Sequence, residues 1–296
     1  MEYSYSFSNE LEQQWKWTER YAAQPEILRY INHAADRFDL RSHVQLDTRV
    51  LSAEFDLQAN CWTVITDQGD TVQARFCIMA TGCLSAAKMP DFKGLASFKG
   101  NGYHTGLWSS SGADLTGKRV GVIGTGSSGI QSIPQIAKQA KHLYVFQRTP
   151  HFSLPARNHF MSTEYEARFK TQYADRRKIA RESTSGVAGY PIPSQSALDV
   201  TDEERDSSFQ MYWDAGRTSF MRAYTDLLRN QDSNATAASF VREKICQTVH
   251  NPAVANLLTP KEHFIGTKRI CLDSDYYETF NRDNVTLVDV ISTLTR

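Results

Sequence analysis

The stretch RVGVIGTGSSGIQSIPQIAKQAKHLYVFQRTP, residues 119–150, decides the fold of this chain. It contains a short apolar run, a glycine-rich turn, a segment of helical period and a second apolar run, which is the order of a right-handed βαβ unit in a parallel sheet. Gly124, Gly126 and Gly129 form the pattern G-x-G-x-x-G. The pattern is weak alone, but a strand before it and a helix after it support it here, although Pro134 is expected to bend that helix. The stretch predicts a nucleotide-binding unit.

The glycine turn is suited to a pyrophosphate group. Glycine lets the backbone turn tightly and approach the phosphates, whose charge meets free N–H groups and the positive end of the following helix. The candidate cofactor contacts are Gly124, Thr125, Gly126, Ser127, Ser128, Gly129, Ile130 and Gln131. A glycine turn with a purely structural role is the alternative.

The end of the second strand predicts which dinucleotide binds. An NAD site has an acidic residue about 20 residues after the glycines, where it accepts from the ribose 2′-hydroxyl. This chain has Gln147, Arg148 and Thr149 there instead. A guanidinium and a hydroxyl suit a 2′-phosphate, because arginine offers a planar, permanently charged fork to phosphate oxygens. We expect NADP rather than NAD, the alternative being an exposed Arg148 without a ligand.

The bulk composition favours small-molecule ligands. Lys and Arg together count 33 in the 296 residues, as do Asp and Glu, so no excess of one charge indicates a nucleic-acid or membrane-surface partner. The five cysteines are scattered and never form a C-x-x-C pair, which argues against a disulfide framework or a zinc site. No apolar run approaches the ~20 residues of a membrane span, and the first residues do not form a signal peptide. We therefore expect a cytoplasmic protein.

Outside the central unit, the apolar pattern predicts helices over residues 8–38, with Ser8 capping the first and Pro25 opening the second. A small antiparallel sheet follows, with a hairpin turn at Gln68-Gly69-Asp70 and a more buried strand over Phe76–Ala80. A connector rich in Pro and Gly then leads towards the glycine turn.

Residues 151–264 are expected to form a helical insertion, which acts as a lid or packing layer. Its predicted apolar stripes are Phe220, Tyr224, Leu227 and Leu228, and then Val241, Ile245 and Val249; Asn251-Pro252 should cap a further helix that Pro260 ends. The strand pattern returns at residues 284–292.

Several motifs resemble those of the Baeyer–Villiger monooxygenases. The stretch FKGNGYHTGLW, residues 98–108, matches the family pattern F-x-G-x-x-x-H-x-x-x-W, although Ser109 follows where the family usually has Pro or Asp. ATG at residues 80–82 is similar to the strand that leaves the flavin domain, and FQRTP at 146–150 is similar to the 2′-phosphate segment. GTKR at 266–269 resembles the segment with a phosphate-binding lysine and the catalytic arginine.

The resemblance implies an α/β fold with two dinucleotide-binding domains, in which a nearly complete Rossmann-like NADP domain carries the helical insertion. The implied domains are a partial FAD domain at 1–97, the NADP domain at 98–283, and the start of a return into the FAD domain at 284–296. The terminal parts that complete the flavin domain in this family are expected to lie outside the chain, so we expect the isolated chain to be colourless or unstable rather than an active flavoprotein.

The implied reaction uses FAD, NADPH and O2. NADPH reduces the flavin, oxygen is activated as a peroxide, and one oxygen atom is inserted next to a ketone carbonyl to give an ester or lactone. By motif, Lys268 would help to hold NADP, and Arg269 would lie over the flavin and stabilise the peroxide and the oxyanion. Arginine suits this role because it does not lose its proton in proteins. A solvated basic pair is the alternative for these two residues.

The resemblance also assigns residues around the flavin domain. Val50, Ala80, Thr81 and Gly82 are included among the cofactor-binding residues. His104 and Trp108 are placed with the catalytic set as conformational residues, which would couple movement of the NADP domain to the flavin site.

Two other functions stay open on the sequence alone. One is an NADP-binding module without turnover, and the other is a flavin monooxygenase that oxidises nitrogen or sulfur. The histidine motif and the Lys268-Arg269 pair favour the ketone enzyme. The sequence indicates neither the ketone nor the oligomeric state.

Overall fold

The chain alternates helices and short strands throughout the described part. The structure, a computed structural model, describes residues 3–84, 86–183, 186–188 and 193–291. Its helices in chain order are α1 (Asn9–Gln14), α2 (Gln24–Arg37), α3 (Ser127–Gln139), α4 (Thr163–Thr171), α5 (Tyr173–Glu182), α6 (Asp202–Ala215), α7 (Gln231–Thr248), α8 (Pro252–Leu258) and α9 (Tyr276–Thr279). Its strands are β1 (Val50–Asp56), β2 (Cys61–Thr66), β3 (Thr71–Ala74), β4 (Arg119–Ile123), β5 (His142–Gln147), β6 (Ser153–Pro155), β7 (Cys271–Asp273) and β8 (Val285–Asp289).

The chain divides into two compact units. Unit 1 contains the residues up to Ala22 and those from Ala113 onward, and unit 2 is Ala23–Gly112. The glycine turn, the helical insertion and the Lys268-Arg269 pair therefore all belong to unit 1.

A three-stranded parallel sheet in the order β4-β5-β8 forms the centre of unit 1. Helix α3 connects β4 to β5, so the predicted βαβ unit is confirmed. α3 continues through Pro134, which is buried in it. β8 lies within the predicted strand at 284–292 and pairs along β5, with Val145 opposite Leu287. The predicted domain boundary at residue 284 thus falls just before a strand of the sheet that carries the glycine turn.

One hydrophobic core joins this sheet to the insertion. Ile130 and Ile133 on α3 and Leu143 on β5 are fully buried in it. The predicted stripe of Val241, Ile245 and Val249 belongs to the same core and is confirmed. The core therefore fixes α3, and with it the glycine turn, against the helices of the insertion.

The prediction that residues 220–228 form a helix with an apolar stripe is wrong. Phe220 lies in a 3₁₀ turn, Thr218–Arg222, the following residues form turns, and the Leu228 side chain is 65% exposed. Asp226 explains the difference, because its carboxylate accepts hydrogen bonds from Ser196 Oγ (2.7 Å) and Ser233 Oγ (2.5 Å). These distant partners hold the segment in turns that a local pattern does not reveal.

The predicted helix limits near residue 251 are confirmed. Asn251 caps α8 by accepting from Ala253 N (2.9 Å), and α8 ends at Leu258, before Pro260. None of the described helices is both long and apolar enough to cross a lipid bilayer.

A two-stranded parallel ladder, β6-β7, brings together the two ends of the insertion. Ser153 lies opposite Cys271, and Pro155 lies opposite Asp273. The backbone N–H of Cys271 also donates to the carbonyl oxygen of Phe152 (3.4 Å). Because the two strands run parallel, the residues just before Ser153 and just before Cys271 lie at the same end of this ladder.

The first residues of the chain pack against the insertion of unit 1. Ser8 caps α1 by accepting from Leu11 N (3.2 Å), as predicted. Glu12 is buried and forms an ion pair with Arg177 on α5 (2.8 Å). This contact ties residues near the amino end to a helix more than 160 positions later.

Unit 2 contains α2 and an antiparallel sheet in the order β1-β2-β3. Pro25 lies in the first turn of α2, and Gly69 has φ +85° in the hairpin between β2 and β3, as predicted. The predicted buried strand at Phe76–Ala80 is wrong, since these residues form no strand and Phe76 and Ile78 are 78% and 88% exposed. No described strand pairs with residues 76–80, so their backbone lacks the ladder partners that would hold it as a strand.

Candidate functional site

The glycine turn joins the carboxyl end of β4 to the start of α3. Gly124 has φ +100°, a conformation that favours glycine, and its N–H donates to Phe146 O on β5 (2.9 Å). A Cβ on Gly129 would overlap the carbonyl oxygen of Gly124, so the third glycine is needed for packing of the helix against the turn. A Cβ on Gly126 would meet nothing within 4 Å. Open space at the second glycine is what close approach of a ligand requires.

The first turn of α3 offers backbone donors to a ligand. Its N-cap residue is Gly126, and no side chain caps it. Ser128 and Gln131 are exposed and Ser127 is half-buried, so these polar side chains are near the helix start and partly or fully accessible. Ile130 differs, because its side chain is fully buried and its N–H donates to Gly126 O (2.8 Å). Ile130 therefore positions the turn rather than offering a free donor.

The segment after β5 lies against the glycine turn. The Thr125 hydroxyl donates to the carbonyl oxygen of Thr149 (3.1 Å), and Thr125 is buried. Arg148 is exposed and has no ion-pair partner among the described residues. Gln147 is buried and donates to Leu257 O (2.8 Å), so it faces the insertion and not the turn. The structure thus brings Thr125, Arg148 and Thr149 together.

Lys268 and Arg269 lie just before β7, at the end of the β6-β7 ladder that residues 149–152 also approach. Both cations are exposed. Lys268 is close enough to His263 for its charge to lower the pKa of that imidazole. The His263 ring lies 6.1 Å from that of His151, which is three positions after Arg148. The two predicted phosphate-binding cations therefore come from segments that meet at one edge of unit 1.

A buried polar group lies beneath this edge. Asp273 on β7 accepts a hydrogen bond from Ser153 Oγ on β6 (2.5 Å), and burial raises the pKa of its carboxyl to about 6. Burial likewise raises the pKa of the Cys271 thiol, which the nearby Ser127 hydroxyl and Arg269 partly oppose. Sequence reasoning missed Asp273, because its short strand carries no motif and its partner is 120 positions away.

The remaining predicted residues belong to unit 2. His104 caps the 3₁₀ turn Thr105–Leu107, where its Nδ1 accepts from Gly106 N (3.1 Å). The Trp108 ring lies 5.5 Å from that of Tyr103, and both are exposed. His104 and Trp108 are thus close in the chain and locally ordered.

The residues assigned to the flavin side are open to solvent. Val50 is the first residue of β1 and is 55% exposed. Ala80, Thr81 and Gly82 are exposed and lie outside any strand, and Gly82 has φ +65°. In the described part of the chain, no group of three His, Cys, Asp or Glu side chains is placed to hold a metal ion.

Curated relatives match nearly the whole chain. The 2-oxo-Δ3-4,5,5-trimethylcyclopentenylacetyl-CoA monooxygenase of Pseudomonas putida is 44% identical over 94% of this chain and 52% of its own length. A Baeyer–Villiger monooxygenase of Pseudooceanicola batsensis is 41% identical over 97% of this chain and 52% of its own length. A phenazine N-monooxygenase of Lysobacter antibioticus is 38% identical over 97% and 53%. The chain spans about half the length of these relatives.

Solved structures agree with the fold. An oxidised steroid monooxygenase bound to NADP is 54% identical, with a TM-score of 0.94 over 98% of this chain and 55% of that one. The structure named OTEMO, in complex with FAD and NADP, is 42% identical, with a TM-score of 0.89 over 95% and 54%. The predicted two-cofactor flavoprotein fold and the resemblance to Baeyer–Villiger monooxygenases are thereby confirmed.

A family model gives the broader assignment. The model described as pyridine nucleotide-disulphide oxidoreductase matches residues 3–205, which is most of the described chain. The match includes the glycine turn, Arg148 and Thr149. The chain therefore belongs to the pyridine nucleotide-disulphide oxidoreductase family, and its relatives are monooxygenases, among them Baeyer–Villiger monooxygenases.

Proposed function

We propose that this chain serves an FAD- and NADPH-dependent Baeyer–Villiger monooxygenase, which inserts one atom of O2 next to a ketone carbonyl to give an ester or lactone. The observation that carries the proposal is the junction of the glycine turn with Arg148 and Thr149, in a chain whose relatives include a Baeyer–Villiger monooxygenase and a steroid monooxygenase bound to NADP. The substrates are then a small ketone and O2.

The residues of unit 1 fit NADP. The start of α3 is uncapped by any side chain, and the space at Gly126 is open, so a pyrophosphate can approach the backbone. Arg148 and Lys268 are exposed cations on segments that share one edge, which suits a phosphate on the ribose. Gly124, Gly129 and Ile130 shape the turn, while Ser127, Ser128, Gln131 and Thr149 supply polar contacts.

Arg269 supplies a fixed positive charge for the reaction. FAD, when bound, supplies the redox centre that takes the hydride of NADPH and activates O2. Because arginine does not act as an acid in proteins, Arg269 would stabilise negative charge on oxygen without giving up a proton. A preorganised donor of this kind contributes about 3 to 4 kcal/mol to a transition state.

Unit 2 supplies the proposed flavin contacts. Val50, Ala80, Thr81 and Gly82 are exposed, so their backbone groups are open to a cofactor. His104 and Trp108 act as conformational residues, and the cap that His104 forms on its own turn supports a structural task for its imidazole. The chemistry assigned to the site needs no imidazole base.

A second candidate function is oxidation of nitrogen. The phenazine N-monooxygenase relative covers as much of this chain as the Baeyer–Villiger relative does, so the shared elements are compatible with both reactions. A third outcome, an NADP-binding module without turnover, would need the same glycine turn and Arg148 but not Arg269.

The charge balance supports a small-molecule ligand, and the cysteines support a reducing compartment for this function. Equal numbers of acidic and basic residues favour small-molecule ligands over nucleic acid. All five cysteines are free, and a reducing compartment such as the cytoplasm keeps them so.

One experiment separates these functions. The protein, with the terminal parts that are expected to complete its flavin domain, is supplied with FAD, NADPH and ¹⁸O2, together with a cyclic ketone, a linear ketone or phenazine, and products are identified by mass spectrometry. We expect an ester or lactone with one ¹⁸O from a ketone, and a loss of about 100-fold or more in rate for Arg269→Ala. An N-oxide without an ester would select the second candidate, and NADPH binding without any product would select the binding module.

A further inference from the structure

The His263 imidazole is enclosed at the edge shared by Arg148 and Lys268. Its ring lies edge-on to Phe152, with 5.4 Å between ring centroids, and 6.1 Å from the ring of His151. Both ring nitrogens are shielded from water, and neither has a hydrogen-bond partner among the described residues. An enclosed polar atom without a partner is unfavourable, so it is expected to have a partner in the working state.

The charges around His263 are mostly positive. Lys268, His151 and Arg242 face it from the segment before β7, the segment before β6 and α7, and Glu262 is the acidic neighbour. Arg242 is held in place, because its Nε donates to Pro260 O (2.8 Å) and its guanidinium lies 5.8 Å from the centre of the Phe152 ring. We call His151, Arg242, His263 and Lys268 the basic cluster.

This arrangement disfavours the charged form of His263 in the free protein. Burial is the largest cause that lowers the pKa of His263, followed by the charges of Lys268, His151 and Arg242. The cations Lys268 and Arg242 outnumber the one acidic neighbour, Glu262, so a further anion would be stabilised beside the ring. The partner that the ring nitrogens lack is therefore a negatively charged acceptor.

The basic cluster lies next to the glycine turn along the chain. Thr149 contacts Thr125 of the turn, and His151 follows two positions later. Two residues of extended chain span about 7 Å. A dinucleotide that places its pyrophosphate at the start of α3 can therefore extend a further phosphate towards the cluster.

We propose that His263 is a phosphate ligand of the NADP site: when the 2′-phosphate binds between Arg148 and the basic cluster, it displaces the side chains that shield the ring, and one ring nitrogen of His263 takes a proton from solvent and donates it in a hydrogen bond to a phosphate oxygen. This inference rests on the proposed function, since it requires NADP. It makes His263 a residue that discriminates NADP from NAD, and it makes that discrimination depend on pH.

The sign of the pH dependence follows from the charges. A phosphate dianion beside the ring favours the imidazolium, so binding raises the pKa of His263 from its lowered value and is coupled to uptake of a proton. NADP affinity therefore increases as the pH falls from about 8 towards 6, by at most about tenfold for each pH unit that lies between the raised and the lowered pKa. NAD lacks the 2′-phosphate and should show no such change.

The test is calorimetric titration of the 296-residue chain with NADP⁺ and with NAD⁺. Titrations at about pH 8 and pH 6, in two buffers of different ionisation enthalpy, give both the affinity and the number of protons taken up. We expect uptake of up to about one proton per NADP⁺ and roughly tenfold tighter NADP⁺ binding at the lower pH. His263→Gln should remove the proton uptake and most of the pH dependence while NADP⁺ still binds at the higher pH.

Two controls make the result specific. His250→Gln changes an exposed imidazole of unit 1 outside the basic cluster, and it should behave as the unchanged protein. Proton uptake by the unchanged protein is itself a readout that needs no variant. NADP⁺ binding with no proton uptake, or with the same uptake in His263→Gln, would overturn the role of His263 and leave the proposed function standing. An absence of saturable NADP⁺ binding at both pH values would overturn both.

Discussion

At the scale of single residues, Arg148 should decide between the two nicotinamide dinucleotides. Its side chain is exposed beside the glycine turn and has no ion-pair partner in the described chain. Loss of a hydrogen bond to a charged group costs about 1.5 to 3 kcal/mol, so Arg148→Ala should weaken NADP⁺ binding by roughly 10- to 100-fold. NAD⁺ binding should change by less than about twofold, because it has no 2′-phosphate. Titration with both cofactors measures the difference.

The matched control for this change is Arg119→Ala. Arg119 is also exposed, but it begins β4 and so lies at the opposite end of that strand from the glycine turn. Arg119→Ala should leave the affinities for NADP⁺ and NAD⁺ unchanged. Equal losses for NADP⁺ and NAD⁺ in Arg148→Ala would contradict the assignment of the 2′-phosphate to this guanidinium.

Asp273 should make the stability of unit 1 depend on pH. Burial raises the pKa of its carboxyl from 3.8 to about 6, so the folded state holds a proton that the unfolded state releases between these pH values. The free energy of unfolding should therefore fall as the pH rises through this window, by roughly 3 kcal/mol in total. Asp273→Asn should remove this decrease, as followed by urea denaturation between about pH 4 and pH 7.

The exposed Asp283 provides the comparison for that experiment. Asp283→Asn should leave the pH profile of the unfolding free energy unchanged, since its side chain is solvated in both states. If Asp273→Asn retained the full decrease, another group would be responsible for it.

Residues at this scale were predictable only where a motif marks them. Arg148 could be predicted because the end of the second strand of a βαβ unit has a defined task. His263 and Asp273 could not, because their properties come from burial and from partners on other elements. His263 acquires its positive surroundings from Lys268, His151 and Arg242, of which the last two are 112 and 21 positions away along the printed sequence.

At the scale of elements, the second and third glycines of the turn should separate ligand binding from stability. Gly126 has φ −83°, which any residue can adopt, and a Cβ there enters open space. Gly126→Ala should therefore cost less than about 1 kcal/mol of unfolding free energy, yet weaken NADP⁺ binding at least about tenfold by filling the phosphate approach. Gly129→Ala should destabilise the fold by roughly 1 to 3 kcal/mol, because its Cβ overlaps the carbonyl of Gly124.

Urea denaturation and NADP⁺ titration of the two variants test this separation. If Gly126→Ala bound NADP⁺ with normal affinity, the assignment of the phosphate position to the start of α3 would be wrong. Gly129→Ala with unchanged stability would mean that the turn relaxes without loss of packing.

Elements were predictable where local signals agree with their partners. The βαβ unit contains its own partners within 32 residues, and β8 carries a clear strand pattern. The apolar residues 76–80 also have a strand pattern, but a strand requires a neighbouring backbone, and the described sheet of unit 2 ends at β3. The segment at 220–228 has a helical pattern, which the hydrogen bonds of Asp226 override.

At the scale of the whole molecule, the sequence did not reveal that the first residues pack with the last two thirds of the chain. Glu12 is buried and pairs with Arg177, and the residues up to Ala22 belong to unit 1 while Ala23–Gly112 forms unit 2. Such pairings depend on single side chains far apart in the sequence, which have no periodic signature.

The division into two units leads to a prediction for ligand protection. All proposed NADP contacts lie in unit 1, whereas Val50 and residues 80–82 lie in unit 2. A ligand at about 100 times its dissociation constant stabilises the state that binds it by about 2.7 kcal/mol. In amide hydrogen exchange, NADP⁺ should therefore slow exchange around residues 124–131, 148–152 and 263–269 and leave β1 to β3 unchanged. With the terminal parts that are expected to complete the flavin domain present, FAD should protect residues 80–82 instead. Protection of β1 to β3 by NADP⁺ alone would show that the nucleotide site includes unit 2, and the assignment of the site to unit 1 would then be wrong.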